Sequence, residues 1–393
     1  MSKFEKYLVI ALLFLPLTTL RVGFIGIGEL ILIFLFVTTS HKFFRVYSRN
    51  YIINNYENKF IFSKFWIYFL ILSIIGFYYN ILILNHETGT FESFLFDFSA
   101  YIIIFLSCNS MEVYDKYKGI QFEKVFKAIF LCSSVLFGTL FLISMRMDNI
   151  FGFPLNYYDY FSPLSNNIHQ TAMFLVPMPF IGLFVIEKEK RKYKKLIYLF
   201  LIISLVPVII AIGSFKSVIG LVAGLFFYLF LKTSNSINKG IKFIIVLIIA
   251  FSSMLSILTN NQLLFSFLLQ FFVDNDGGGG RAFLYEKGIS LGMSSFLFGR
   301  GSGAHIFNGL KFYDAHQSFL TIFLQTGIFG LLLFVNLFYN LFKKIAKIPS
   351  LFAAFFTIVI YALGGDILRR LPIWILLILI YNYSTKSKKH QLE

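Results

Sequence analysis

The residues able to do chemistry in this chain are few. His316 precedes Gln317 and a long apolar run carrying Gly327 and Gly330. Around it in the sequence are isolated cations: Lys216 in AIGSFKSVIG, Arg281 after four consecutive glycines, Arg300 in GRGSG, and Arg369-Arg370 in GGDILRRLP. A neutral imidazole near pH 7 can accept a proton. If His316 starts a helix, the unpaired amides there disfavour a second positive charge and hold the ring neutral. Converging cations suit a phosphate or pyrophosphate, and arginine binds phosphate oxygens bidentately. Gly327 and Gly330 lie 11 and 14 residues after His316. At about 100° per residue both fall within ~40° of its direction, so another helix can pack close beneath it. An interfacial histidine above an ordinary small-residue packing face has the same pattern.

The elements that must position these residues are membrane spans. The chain has 393 residues, 58% apolar and 14% charged, against about 25% charged in soluble domains. Apolar runs near the ~20 residues needed to cross a bilayer recur throughout. The expected fold is all-α and polytopic, a single membrane domain over 1–393. Twelve spans are expected at 7–20, 22–38, 65–84, 93–109, 125–145, 169–186, 196–213, 215–231, 241–259, 317–342, 350–364 and 370–384. The fourth carries Asp97. Lys3, Lys6 and the first apolar run look like a signal peptide, but no small-x-small cleavage site follows, so this run reads as an uncleaved first span.

With the N-terminus inside, all but nine of the 35 Lys and Arg fall in connections on the cytoplasmic side. The nine are Arg21, Arg146, Lys216, Arg281, Lys287, Arg300, Lys311, Arg369 and Arg370. This is the positive-inside pattern, with both termini cytoplasmic. The net charge of +16 is then an orientation signal and an attraction to anionic lipid heads, not a nucleic-acid footprint. Cys108 and Cys132 lie in or beside apolar segments with no metal-type spacing, and a disulfide between them is not expected.

The outer connections carry the information. Glu29 lies within the second span, where a carboxylate is either functional or paired to fix packing. In residues 146–168, Tyr157, Tyr158, Tyr160 and Phe161 form either an interfacial belt or a surface for stacking on sugar rings. The largest connection, 260–316, balances Arg281, Lys287, Arg300 and Lys311 against Asp274, Asp276, Glu286 and Asp314. That balance suggests a packed structure with placed charges. The runs at 267–272 and 283–293 have helical apolar spacing. The glycines at 277–280 lack the Lys-Ser/Thr ending of a P-loop. No outer His, Asp or Glu set has metal-ligand spacing, so no metal and no cofactor is expected.

His316-Gln317 followed by Gly327-x-x-Gly330 resembles the signature of the O-antigen polymerase and ligase superfamily. The upstream GGGGRAFLYEKGISLGMSSFLFGRGSG resembles that family's segment too. The resemblance implies a metal-independent, inverting glycosyltransferase of GT-C-like architecture in the bacterial inner membrane. Its substrates would be undecaprenyl-pyrophosphate-linked oligosaccharides on the periplasmic face, with a chain-length regulator as a potential partner. His316 would be the general base and Arg281 the pyrophosphate ligand. A second family arginine in a T-x-S-R-like turn is replaced here by Lys216 in GSFKS, which supplies charge without the fork; Arg300, Arg369 or Arg370 would compensate. An O-antigen polymerase is the favoured reading, with an O-antigen ligase as its neighbour. A lipid-linked oligosaccharide flippase is the alternative of another class, though it should show internal repeats and midplane charges.

Overall fold

A computed structural model describes residues 1–23, 25–48, 60–84, 90–232, 279–306 and 317–387. They form thirteen helices and three short hairpins. The helices are α1 Lys3–Phe14, α2 Ile27–Ser48, α3 Ile61–Leu82, α4 Phe91–Lys118, α5 Phe122–Ser144, α6 Ile168–Leu175, α7 Met178–Lys188, α8 Lys192–Ala211, α9 Phe215–Lys232, α10 Gly279–Ser294, α11 Ser318–Ile345, α12 Pro349–Gly364 and α13 Leu371–Ser387. The hairpins pair Arg21–Val22 (β1) with Ile25–Gly26 (β2), Asn149–Ile150 (β3) with Phe153–Pro154 (β4), and Asn156–Tyr157 (β5) with Tyr160–Phe161 (β6).

This is an all-α polytopic membrane protein. Seven apolar helices are long enough to cross a bilayer: α3, α4, α5, α6 with α7, α8, α9 and α11. The apolar part of α2, together with α12 and α13, is shorter. Eleven of the twelve expected spans coincide with helices; the one at 241–259 lies outside the described residues. The first differs from expectation. Its helix is 12 residues, about 18 Å at 1.5 Å per residue, too short to cross a ~30 Å hydrocarbon core alone. It is started by a capping box between Ser2 and Glu5 and packs on α2 and α5.

Local sequence explains most boundaries. Thr90 and Ser93 form a capping box that starts α4, and Gly119 at φ 71° ends it. Asn167 caps α6. Pro177 lacks an N–H and separates α6 from α7. The centre is α13. From Ile373 to Tyr381 its side chains are almost completely buried on every face, as expected for a helix apolar all round. It packs on α4, α11 and α12. Trp374 of α13 meets Trp66 of α3 edge-on at 4.7 Å, and Trp66 stacks on Tyr101 of α4 at 5.5 Å. Cys108 is buried, Cys132 is exposed, and both are free.

Glu29 sits in the first turn of α2, which starts five residues later than the expected span. Its carboxylate accepts the Gly26 N–H at 2.9 Å, a helix-start role.

Candidate functional site

The helix α11 is broken. At Gly327 the backbone has φ 64° and ψ −161°, outside the helical region. The segment after α10 fills the break: Ile328 N–H donates to Phe296 O at 2.8 Å, Arg300 N–H to Leu324 O at 2.7 Å, and Gly301 N–H to Gln325 O at 2.9 Å. Gly299, Gly301 and Gly303 all have φ between 69° and 85°. A Cβ on Gly301 would fall 2.7 Å from the Phe77 backbone of α3, and one on Gly303 2.7 Å from Ser93 of α4. The GRGSG turn therefore re-enters the bundle between α3, α4 and the broken helix. Irregular backbone at this depth persists only where protein supplies its hydrogen bonds.

The break changes the geometry of the two helix glycines. The 100° progression from His316 does not continue past Gly327, whose added Cβ would overlap Leu297 O. At Gly330 an added Cβ would overlap Thr326 Oγ1, whose hydroxyl donates to Ile322 O at 2.8 Å. Gly330 makes room for its own helix's threonine, not for a neighbouring helix.

Arg300 is carried into the interior by this turn and is 1% exposed. Its Nε donates to Leu291 O at 3.2 Å and its Nη2 to Ser294 Oγ at 2.6 Å. A cation at the last carbonyls of α10 is favoured by the helix dipole. These bonds fix Arg300 to the end of α10.

The same turn presents His305. Its ring is 1% exposed, with Nδ1 2.9 Å from Gln325 Nε2 and 3.4 Å from Asp97 Oδ2. Among the described residues its Nε2 has no hydrogen-bond partner. Tyr101 OH donates to Gln325 Oε1 at 3.0 Å. Asp97 is fully buried in α4, and its Oδ1 accepts from Arg369 Nη1 at 3.0 Å. Asp366 Oδ2 lies 4.0 Å from Arg369 Nε. Asp97 thus holds the Arg369 guanidinium, in the turn between α12 and α13, and lies beside the imidazole on the re-entrant turn, whose Nδ1 accepts from Gln325 Nε2. An intramembrane carboxylate is a functional suspect by default, and this one interrupts its span for a definable reason.

The start of α11 is stapled to that same turn. Ser318 N–H and Oγ both donate to Gly365 O, at 3.1 and 2.7 Å, and Ser318 Oγ accepts Ile367 N–H at 3.0 Å. Gln317 caps the helix by accepting Leu320 N–H at 2.6 Å. His316, two residues before Ser318, lies outside the described residues.

Lys216 approaches from another direction. It occupies the first turn of α9, is 3% exposed, and lays its stem along Gly364; a Cβ there would be 3.1 Å from its Cε. Its Nζ lies 4.0 Å from the Cβ position of Gly365. The GSFKS turn is held by Tyr361 of α12, whose hydroxyl meets Ser214 Oγ at 2.9 Å and Ser217 Oγ at 2.6 Å. Lys216, Ser318 and Arg369 therefore meet around Gly364–Asp366. Arg370 lies half-buried in the same turn, its N–H donating to Ile367 O at 3.0 Å. Arg281 falls in the first turn of α10; its side chain is outside the described part.

The structure brings together Lys216, Arg369 and the start of α11, with Arg370 in the same turn, and adds Asp97, His305, Gln325, Tyr101 and Tyr361. Only Asp97 had a sequence signal, a carboxylate inside an apolar run. His305 sits in the glycine-rich stretch without a pattern of its own.

Residues 199–335 match the family model described as O-antigen ligase. The match, over about a third of the chain, supports the resemblance to the O-antigen polymerase and ligase superfamily without separating polymerase from ligase. It runs from α8 through the break in α11, so Lys216, Arg281, Arg300, His316, Gly327 and Gly330 lie inside it and Arg369-Arg370 outside. No curated protein is significantly similar to the chain.

Proposed function

We propose that this protein is a surface-polysaccharide polymerase, most directly for O-antigen. It moves a growing glycan from undecaprenyl pyrophosphate onto a lipid-linked repeat unit. The observation that carries this reading lies at one end of the bundle. There Lys216 and the start of α11 converge on the Gly364–Gly365 dipeptide, with Arg369 in the adjoining turn.

In this mechanism His316 takes the proton of the acceptor sugar hydroxyl as that oxygen attacks the anomeric carbon. The bond from that carbon to the pyrophosphate oxygen breaks with inversion, and undecaprenyl pyrophosphate leaves. Arg281 and Lys216 hold the departing charge, with Arg369 and Arg370 in support. Arg300 keeps α10 and the re-entrant turn in place. An open apolar groove between α3 and the second half of α11, lined by Tyr68, Leu72, Phe329, Leu332 and Leu333, suits the polyprenyl tail. The positive-inside pattern supports a site on the periplasmic face of the inner membrane, both termini in the cytoplasm, and one membrane domain that includes the 260–316 loop.

The description of the matching family favours a second reading, an O-antigen ligase whose acceptor is lipid A-core. A deletion strain separates these. Polymerase function predicts single repeat units on lipid A-core. Core without O-antigen, with polymer left on the carrier, would make the protein a ligase. Unpolymerised units retained on the cytoplasmic side would make it a flippase and overturn the transferase reading.

A further inference from the structure

The segment 148–165 is a built surface that the proposed chemistry does not use. Its base is rigid. Leu155 N–H donates to Asp148 O at 2.8 Å, Ser162 N–H to Leu155 O at 3.0 Å, and Leu164 N–H to Pro154 O at 2.8 Å. Leu155 and Phe161 are buried, and Phe161 packs edge-on against Phe141 of α5 at 5.3 Å. Thr19 N–H and Oγ1 both donate to Leu164 O, at 2.9 and 2.8 Å.

On this base the hairpins β3–β4 and β5–β6 each carry an aromatic residue at the tip. Phe151 is 95% exposed and Tyr158 81% exposed. Both have left-handed backbone, φ 51° and 53°, where Asn or Gly is the usual choice in a two-residue hairpin turn. A bulky residue held there without burial points to a role for the ring itself. Phe153, Tyr157 and Tyr160 are partly exposed beside them, and the Tyr157 and Tyr158 rings meet at 4.7 Å and 75°.

Two observations decide what this surface meets. First, it adjoins the cationic turn: the Tyr160 ring covers Gly213 so closely that a Cβ there would overlap it, and Gly213 is three residues before Lys216. Second, its charge is wrong for lipid heads. Asp148, Asn149, Asn156 and Asp159 interleave with the rings, and Arg146 is the only Lys or Arg between 146 and 168. Segments that settle on anionic lipids carry clustered Lys and Arg. Carboxylates and amides instead accept from and donate to sugar hydroxyls, while the electron-rich ring faces receive the sugar's C–H groups.

We infer that the paired hairpins at 149–161 form a glycan-binding platform that holds the sugar portion of the lipid-linked substrate while its pyrophosphate lies at the Lys216 turn. This rests on the reading of the chain as a transferase of lipid-linked glycans, and it holds for polymerase and ligase alike.

The test replaces Phe151 and Tyr158 together, once with leucine and once with tryptophan, in a strain lacking the chromosomal copy. Leucine keeps membrane affinity but not stacking; tryptophan keeps both. At equal membrane abundance the leucine pair should deplete long surface polysaccharide at least about fivefold, and the tryptophan pair should match wild type. A second measurement uses the strain's own polysaccharide, released by mild acid, as a probe for purified full-length protein in nanodiscs. The leucine pair should bind it at least about fivefold more weakly. A wild-type ladder from the leucine pair, equal loss from both pairs, or equal binding by all three proteins overturns the platform. If the deletion strain itself keeps normal polysaccharide, the transferase reading fails, and the platform with it. Loss of polymer in that strain with full rescue by the leucine pair sinks the platform alone.

Discussion

The two ends of the helix bundle use the same kinds of polar residue to opposite effect. At the end bearing Ser2, Gly119 and Lys188, carboxylates tie one helix to another. Glu112 of α4 is buried and accepts Phe62 and Ser63 N–H groups at 3.1 Å each, with Ser63 Oγ as a further donor, so it caps α3 from a neighbouring helix. Asp115 pairs with Lys386, Glu189 with Lys127 at 3.3 Å, and Glu187 accepts from Ser350 at 2.7 Å. At the other end a buried carboxylate holds a cation. Asp97 accepts from Arg369, which stays about a quarter exposed at the mouth, and its second oxygen lies 3.4 Å from His305 Nδ1. The first end is arranged for closure. The second uses its carboxylates to aim a cation, and its backbone carries the helix break and most of the left-handed glycines. Buried charges are weak evidence for stability, and removing one partner is expensive, so the two ends should respond differently to substitution.

The largest expected difference is at His316. His316→Ala should lower transfer by about 10²–10⁴-fold, the usual contribution of a positioned base, with unchanged protein in the membrane. Full-length polysaccharide at normal abundance would remove the histidine from the mechanism.

Asp97→Asn comes next. It removes the buried partner of Arg369, and because that guanidinium is about a quarter exposed and also faces Asp366, the loss should fall below the ~3–5 kcal/mol of a fully buried pair. If Asp97 acts by aiming Arg369, the Asp97→Asn and Arg369→Gln effects on the KM for the lipid-linked donor should be non-additive. Strict additivity would reduce Asp97 to scaffold and blur the contrast between the ends.

At Lys216 the sign of the outcome is informative. Lys216→Ala should abolish polymer formation, and Lys216→Arg should keep it, because the charge is what the turn supplies. Equal activity in both would make the lysine a packing element over Gly364.

The smallest functional effect should come from Glu112→Gln. One carboxylate oxygen is replaced by an amide, so a backbone N–H of α3 loses its acceptor, at about 1–3 kcal/mol of stability. Melting in detergent should shift downward while transfer per folded molecule stays at the wild-type level. A loss of specific activity would show that this end also reaches the chemistry.

The architecture was largely legible in the chain, and particular residues show why. Apolar runs of bilayer length mark α3, α5, α8 and α9 because lipid imposes length and composition locally. The first run misled because its apolar content exceeds its helix, which stops at Phe14 before the Pro16 turn. Of the candidate residues, Lys216, Arg369 and Arg370 stood out as cations in short connections, and Lys216 and Arg369 both approach Gly364–Asp366, with Arg370 in the same turn. Arg300 stood out as a cation in the glycine-rich part of the largest connection, and it bonds the end of α10 through Leu291 O and Ser294 Oγ.

Sequence by itself determined the class of protein, the positions of most helices, the asymmetric charge and the His-Gln…Gly-x-x-Gly pattern. These depend on residues near one another, through hydropathy, capping and the sign of charge at each connection. Only the tertiary structure decided that Gly327 breaks its helix. Only the structure showed that GRGSG enters the break, that Arg369 pairs with Asp97 beside His305, and that Tyr361 holds the Lys216 turn. Asp97 lies 208 residues from His305 and 272 from Arg369 in the chain. A glycine's freedom permits a left-handed backbone without requiring one. Whether it is used, and which distant partner a buried carboxylate finds, depends on which helices pack side by side.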